Sequence, residues 1–269
     1  TRPGTSERLN LTLAELGCLD VTADPYNADP TGQTDSTKAL QKAIEDAYAK
    51  QMVCFFPVGN YLISDTLLAS QDPNTHEQTN YLVGSTAGPQ RPKLILAPST
   101  PGFDDPENPK SMVRIWTRPN EKANERTGHP VDSWDPDHEN AAQGFLQTFR
   151  GIDFEISEGN PGAVGLRMTG AQHSEICDTK VVMKSGFAGI YNMPGVNGVV
   201  ANIEVVGGRY GIYAPKAQYA TLTGIRLIDQ EEYAMADNSP NPMMVGFYIK
   251  KKQAPAIRVE KNQWKLGYG

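Results

Sequence analysis

The sequence predicts an all-β solenoid, a parallel β-helix closed at its N-terminal end by one α-helix. Three observations predict it. The second half of the chain repeats every 22 to 27 residues with two short β-type segments per repeat. A single strongly amphipathic stretch precedes the repeats. The chain also carries 25 Gly and 20 Pro in 269 residues with only 8% aromatics, a composition suited to frequent tight turns.

Residues 34–49, TDSTKALQKAIEDAYA, place Ala39, Leu40, Ala43, Ile44 and Ala47 on one helical face. Asp35, Ser36 and Thr37 supply natural N-caps after the Pro30-Thr31-Gly32 turn. Two β-rich runs follow, 53–56 and 61–63, separated by Pro57-Val58-Gly59-Asn60. From 99 to 140 the pattern changes. Pro101, Pro106, Pro109, Pro119, Pro130 and Pro136 break any regular element, so this reads as an insertion loop, either a flap over a binding groove or a surface insertion.

The repeats fall into two strand families. GIDFEIS (151–157), DTKVVMK (178–184), NIEVVGG (202–208) and GIRLIDQ (224–230) align on Phe154, Val181, Val205 and Leu227. VGLRM (164–168), AGIYN (188–192), YGIYA (210–214) and VGFYI (245–249) align on Leu166, Ile190, Ile212 and Phe247. Such coils bury their inward side chains only by stacking on neighbours, so the chain reads as one solenoid domain, 1–269, with the 34–49 helix covering its open end. The long last step of the second family marks an inserted loop at 229–243.

A balance of 25 basic against 31 acidic residues gives −6, so no global positive field favours nucleic acid or an anionic membrane. Cys18, Cys54 and Cys177 have neither disulfide-framework nor zinc spacing. No apolar run reaches the roughly 20 residues of a membrane span. The start at Thr1 without Met is read as a processed secretory signal or a boundary of the piece, and the expectation is a secreted or cell-surface protein. Asn10-Leu11-Thr12 is a glycosylation sequon.

ADPTGQTDSTKALQKAIEDA followed by VCFFPVGNYLISDTL resembles the N-terminal signature of the pectate-lyase-like superfamily of right-handed parallel β-helix proteins. A narrower resemblance covers about 90–228. KLILAP, FLQTFRGIDFEI, VGLRMTGAQHSEICDTKVVM, GIYNMPGVNGVVANIEVVGGRYGIY and AQYATLTGIRL are similar to the first half of family 55 glycoside hydrolases, exo-1,3-β-glucanases of two tandem β-helices. That resemblance implies metal-independent, cofactor-free inverting hydrolysis of a polysaccharide, with this chain as the N-terminal half and a second β-helix chain or domain completing the site. In that family the catalytic glutamate lies in the second β-helix. A serine-bearing turn expected near 195–198 reads Gly195-Val196-Asn197-Gly198 here.

Glycoside hydrolysis needs a protonated carboxylic acid and a base or nucleophile. Glu231 and Glu232, with Asp229 at the head of the expected inserted loop, are the candidate acids; Asp153, Glu155, Glu175 and Glu204 read as outward strand residues. Gln172 falls where the family has a water- or sugar-holding glutamine, so the resemblance gives it a catalytic and binding role; its alternative is an amide ladder between coils. His173, Arg167 and Gln218 accompany it as substrate-binding candidates, with Tyr191, Tyr210 and Tyr213 as stacking platforms for sugar C–H faces. Tyr219, Trp116 and Trp134 are further rings. The run HPVDSWDPDHE (129–139) matches no metal template, and no metal site is expected. No Walker, GxGxxG or GxSxG motif occurs.

The expected function is therefore β-1,3-glucan hydrolysis of the family 55 type. Its alternatives are a non-catalytic glycan-binding or structural β-helix of the tailspike or fibre type, and a polysaccharide lyase or epimerase using Arg167 or Arg209. Net −6 does not favour a uronate substrate.

Overall fold

The computed structural model describes residues 12–71, 78–117, 144–215, 219–237, 243–252 and 255–259. Among them all strand pairings are parallel, and the chain winds through the same sheets coil after coil. Connections between parallel strands are almost always right-handed; the fold is a right-handed parallel β-helix.

One wall is a twelve-stranded sheet with two legs. The first leg holds β1 (Cys18–Asp20), β3 (Val53–Phe56), β6 (Tyr81–Gly84) and β9 (Thr148–Arg150). The second holds β2 (Thr31–Asp35), β4 (Asn60–Ile63), β7 (Lys93–Leu96) and β10 (Asp153–Ile156). Four later strands run through both legs: β12 (Glu175–Met183), β14 (Val199–Gly207), β16 (Thr221–Ile228) and β18 (Met243–Lys250). The other wall is a seven-stranded sheet in strict order: β5 (Leu67–Gln71), β8 (Lys110–Thr117), β11 (Ala163–Met168), β13 (Ala188–Tyr191), β15 (Tyr210–Ala214), β17 (Tyr233–Asp237) and β19 (Ile257–Val259).

The long strands bend where the legs meet. Asp178, Asn202, Gly224 and Gly246 take left-handed backbone there, with φ of 55, 53, 63 and 71°. They occupy one rung position, because Cys177 pairs with Ala201, Ala201 with Thr223 and Thr223 with Val245. Short polar residues and glycine tolerate this region best. The Asn202 amide donates to the Asp178 carboxylate at 2.7 Å, tying one corner to the next.

The first strand family has the expected register, with Phe154 on Val181, Val181 on Val205 and Val205 on Leu227. In the second, Leu166 meets Ile190 and Ile190 meets Ile212. The next member is a correction. Ile212 pairs with Met235 of β17, whereas Phe247 belongs to β18 and pairs with Ile225. The expected inserted loop at 229–243 thus contains a regular strand of the solenoid. VGFYI resembles the second family because glycine, aromatic and aliphatic residues suit either wall. The expected loop at 99–140 also contains a strand: β8 is almost wholly buried between β5 and β11. Pro109 lies just before its first residue, where proline removes no ladder donor.

The helix α1 (Thr37–Lys50) buries Leu40, Ala43, Ile44 and Ala47 against the first coil. Ser36 is the N-cap residue but makes no side-chain cap bond. The Asp35 carboxylate does the work instead, accepting from the Thr37 N–H at 2.8 Å and from the Ser64 hydroxyl. The helix also closes the edge of the seven-stranded sheet. Gln41 on α1 donates to the Leu68 carbonyl at 3.0 Å and accepts from the Leu68 N–H at 2.8 Å. Its amide replaces the neighbour strand that β5 lacks on that side, removing an exposed ladder edge. Gln41→Leu keeps helix propensity and bulk but strips both bonds. We expect it to lower stability by about 1–3 kcal/mol, read as a lower denaturation midpoint at unchanged m-value.

Candidate functional site

Successive coils place equivalent side chains about 4.8 Å apart. One row on the seven-stranded sheet runs Arg114, Arg167, Tyr191, Tyr213 across β8, β11, β13 and β15. Three strand steps make it about 14 Å long. The Arg167 guanidinium lies 4.6 Å from the Tyr191 ring centroid, and that of Arg114 5.5 Å from Trp116. Beyond Tyr191 the rings continue: Tyr191 and Tyr213 are 5.2 Å apart, Tyr210 and Tyr213 4.8 Å, Phe187 and Tyr213 5.1 Å.

A cleft of about 500 Å³ opens over the cationic end, lined by Thr66, Glu107, Lys110, Arg114, Arg167 and Tyr191 among others. A second hollow of about 220 Å³ adjoins it over Phe187, Arg209, Tyr210 and Tyr213, sharing Glu107, Pro109 and Tyr191. The two form one groove running along the solenoid axis. Arg114 and Arg167 are 4% and 7% exposed, so their charges act through little intervening water. Glu107 is the one carboxylate lining the groove among the described residues.

The aromatic end is electrically balanced. Arg209 donates from Nε to the Glu232 carboxylate at 2.5 Å and lies over the Phe187 and Tyr210 rings at 5.6 and 5.2 Å. Partial burial alone would raise the Glu232 carboxyl. Hydrogen bonds from Arg209 and Tyr210, with the Arg209 charge, outweigh it and hold the group below its ordinary value. Burial and the bond to Glu232 push the Tyr210 phenol up to about 12.

The structure brings together four of the expected binding residues: Arg167, Tyr191, Tyr210 and Tyr213. It separates others. Gln172 and His173 sit in the turn between β11 and β12; Gln172 accepts from the Leu146 N–H through its carbonyl, and His173 is exposed with φ of 59°. The Gln172 Oε1 is buried without a hydrogen-bond partner among the described residues. The buried amide ladder expected as its alternative exists nearby but is built by others: Gln71 accepts from Gln147 at 2.8 Å, and Gln147 from Asn80 at 3.0 Å. Gln218, Trp134 and 129–139 lie outside the described residues.

Of the expected acids, Glu232 is ion-paired and Glu231 faces solvent. A general acid starts protonated, whereas Glu232 is an ionised partner of Arg209. Glu231 is exposed on the opposite side of the turn, beside Asp229, Lys251 and Lys252, and does not line the groove. Asp153, Glu155 and Glu204 pair with Arg91, Lys93 and both Lys180 and Arg226, at 2.7 to 3.0 Å. Sequence reading missed Glu107, Lys110 and Arg114. The usable signal was the apolar-rich run SMVRIW with a basic residue at its centre, hidden by the flanking prolines.

A parallel β-helix carrying an elongated groove of cations and rings defines the class: a pectate-lyase-like β-helix protein with a carbohydrate-related fold. The chain belongs to the rhamnogalacturonase A/epimerase, pectate lyase-like family, whose model matches residues 21–254. No curated protein matches it. Similar solved structures include the surface adhesin PfbA of Streptococcus pneumoniae, at 13% identity and TM-score 0.49, covering 87% of this chain and 56% of that one. The Dettilon tailspike protein is 14% identical at TM-score 0.45, covering 92% and 48%. Iota-carrageenase complexed to iota-carrageenan fragments is 10% identical at 0.40, covering 86% and 48%. The chain spans about half the length of these structures. Among the described residues no helix is long and apolar enough to cross a membrane.

Because the folded Glu232 value is depressed, its contribution to stability is present above the ordinary glutamate value and lost as pH falls through the folded one. We expect the melting midpoint to drop further between about pH 6 and about pH 3 for the unaltered chain than for Glu232→Gln. Equal drops would show that the pairing does not persist in solution.

Proposed function

We propose that this chain binds an anionic polysaccharide segment, one carrying carboxylate or sulfate groups, along the groove on the seven-stranded sheet. The observation that carries this reading is the adjacent stacking of Arg114 and Arg167 in the cleft, where Lys110 is itself paired with Asp65 at 2.7 Å. Two guanidinium groups side by side on neighbouring strands present a wide donor face to oxyanions in that cleft. Guanidinium groups match carboxylate or sulfate oxygens in a bidentate fashion, while Tyr191 and Tyr213 offer faces for sugar C–H groups. The net charge of −6 does not oppose this, because the field inside a cleft is set by the groups nearest to it and not by the sum over the chain. An extracellular location accords with such a ligand.

A second reading is kept by the other end of the groove. There Glu232 neutralises Arg209, leaving rings suited to a neutral sugar. In this reading the protein is a β-1,3-glucan hydrolase of the family 55 type. This chain would be its N-terminal half, with Glu107 in the groove and a further acid from a second β-helix.

Binding titrations with polygalacturonate and with laminarin separate the two. We expect polygalacturonate to bind, its affinity to fall with added salt, and Arg167→Gln to weaken it by about tenfold or more with an unchanged circular dichroism spectrum. Binding of laminarin alone, or no effect of Arg167→Gln, overturns the anionic reading. Release of glucose from laminarin supports the hydrolase. A calcium-dependent unsaturated product from the acidic polymer would make the protein a lyase.

A further inference from the structure

We propose that Glu232 is a positioning residue of the groove: through Arg209 and Tyr210 it fixes the ring platform on which a bound saccharide stacks. This rests on the groove being the binding site and assigns the residue that sets its aromatic end.

Glu232 opens the turn into β17, one coil beyond Arg209 and Tyr210, and its backbone N–H donates to the Arg209 carbonyl at 3.0 Å. Its side chain returns across the same step to accept from the Arg209 Nε, with the Tyr210 hydroxyl close enough to act on it. One carboxylate thereby restrains two side chains that differ in what they hold. Arg209 covers the Phe187 and Tyr210 rings from one side. Tyr210 contacts Phe187 at 5.2 Å, Tyr213 at 4.8 Å and Tyr233 at 6.4 Å, so its orientation sets the others. Phe187, Tyr191, Tyr210 and Tyr213 pack as a cluster separate from the main core, on the groove side of the sheet. Without the carboxylate, Arg209 is an uncompensated cation beside a saccharide face, and Tyr210 loses the partner of its hydroxyl. The charged and titratable groups facing Glu232 are Arg209 and Tyr210 from the preceding coil and Arg258 from β19, whose guanidinium lies 5.8 Å from the adjacent Tyr233 ring. All three favour the ionised carboxylate.

The test measures affinity for short oligogalacturonates, comparing the unaltered chain with Glu232→Gln at pH 7 and again at about pH 3.5. The expected result is about tenfold weaker binding by the variant at pH 7. The ratio should narrow as pH falls, to the extent that Glu232 becomes protonated and the unaltered chain loses the same ionic hold. Taking the ratio cancels titration of the ligand. Tyr210→Phe, which keeps the ring and deletes the hydroxyl, should give a smaller loss and serves if the Gln variant does not fold. Equal affinities at pH 7 overturn the positioning role. Tyr191→Ala separates this from failure of the groove itself. If it leaves affinity unchanged, the ligand does not bind there. If it weakens binding while Glu232→Gln and Tyr210→Phe do not, the groove stands and only the role of Glu232 falls.

Discussion

Stacking of each coil on its copy is the constraint on which the rest of this structure depends. Every rung position sees the same position of the next coil at about 4.8 Å, so any property a residue brings is confronted with itself. Apolar side chains gain from this, and the inward row Phe154, Val181, Val205, Leu227 is almost entirely shielded from water. Close approach selects glycine where the walls meet: a Cβ on Gly189 would lie 2.5 Å from Val205 Cγ1. A left-handed corner is stable only if each coil turns at the same place, which is why Asp178, Asn202, Gly224 and Gly246 coincide.

Charge obeys the same rule with the opposite sign. On the second leg of the twelve-stranded sheet Lys180 faces Glu204, and Glu204 faces Arg226, which lies over the Tyr248 ring at 4.8 Å. The ladder alternates, and hydrogen bonds and charge from both cations hold the Glu204 carboxyl below its ordinary value. Carboxylates engaged in this way tie each coil to the register of the next. Against that background, the succession of Arg114 and Arg167 on the other wall departs from alternation in the very row that lines the large cleft. Local rules tend to be broken at functional sites.

These rules also explain what was legible in the sequence. Inward rows were readable because burial imposes a short apolar vocabulary at fixed spacing, so the register of Phe154 through Leu227 followed from the residues alone. The helix was readable from its 3.6-residue period. What failed was telling one wall from the other: glycine followed by an aromatic and an aliphatic residue occurs on both, so 245–249 was placed a half-coil out of position. Arg167, Tyr191, Tyr210 and Tyr213 were found because they fall in consecutive, evenly spaced coils. Arg114 was not, because 53 residues separate it from Arg167. No fixed spacing survives such a gap, and only the folded ladder makes the two neighbours.

The same distinction governs the electrostatics. A net charge is a sum over the whole surface and is relevant to long-range steering; it says little about a cleft whose cations are packed under aromatic rings. In this chain several acidic residues are engaged in local pairs and turns: Glu204 and Asp153 within the ladder, Asp29 by Thr31 and Thr34 in the first turn, Asp35 at the helix start. Part of the acidic balance is therefore distributed into structural pairs, away from any one face. A fold that stacks like on like must place its compensating charges rung by rung. The sum over the chain then no longer determines what any single face can bind.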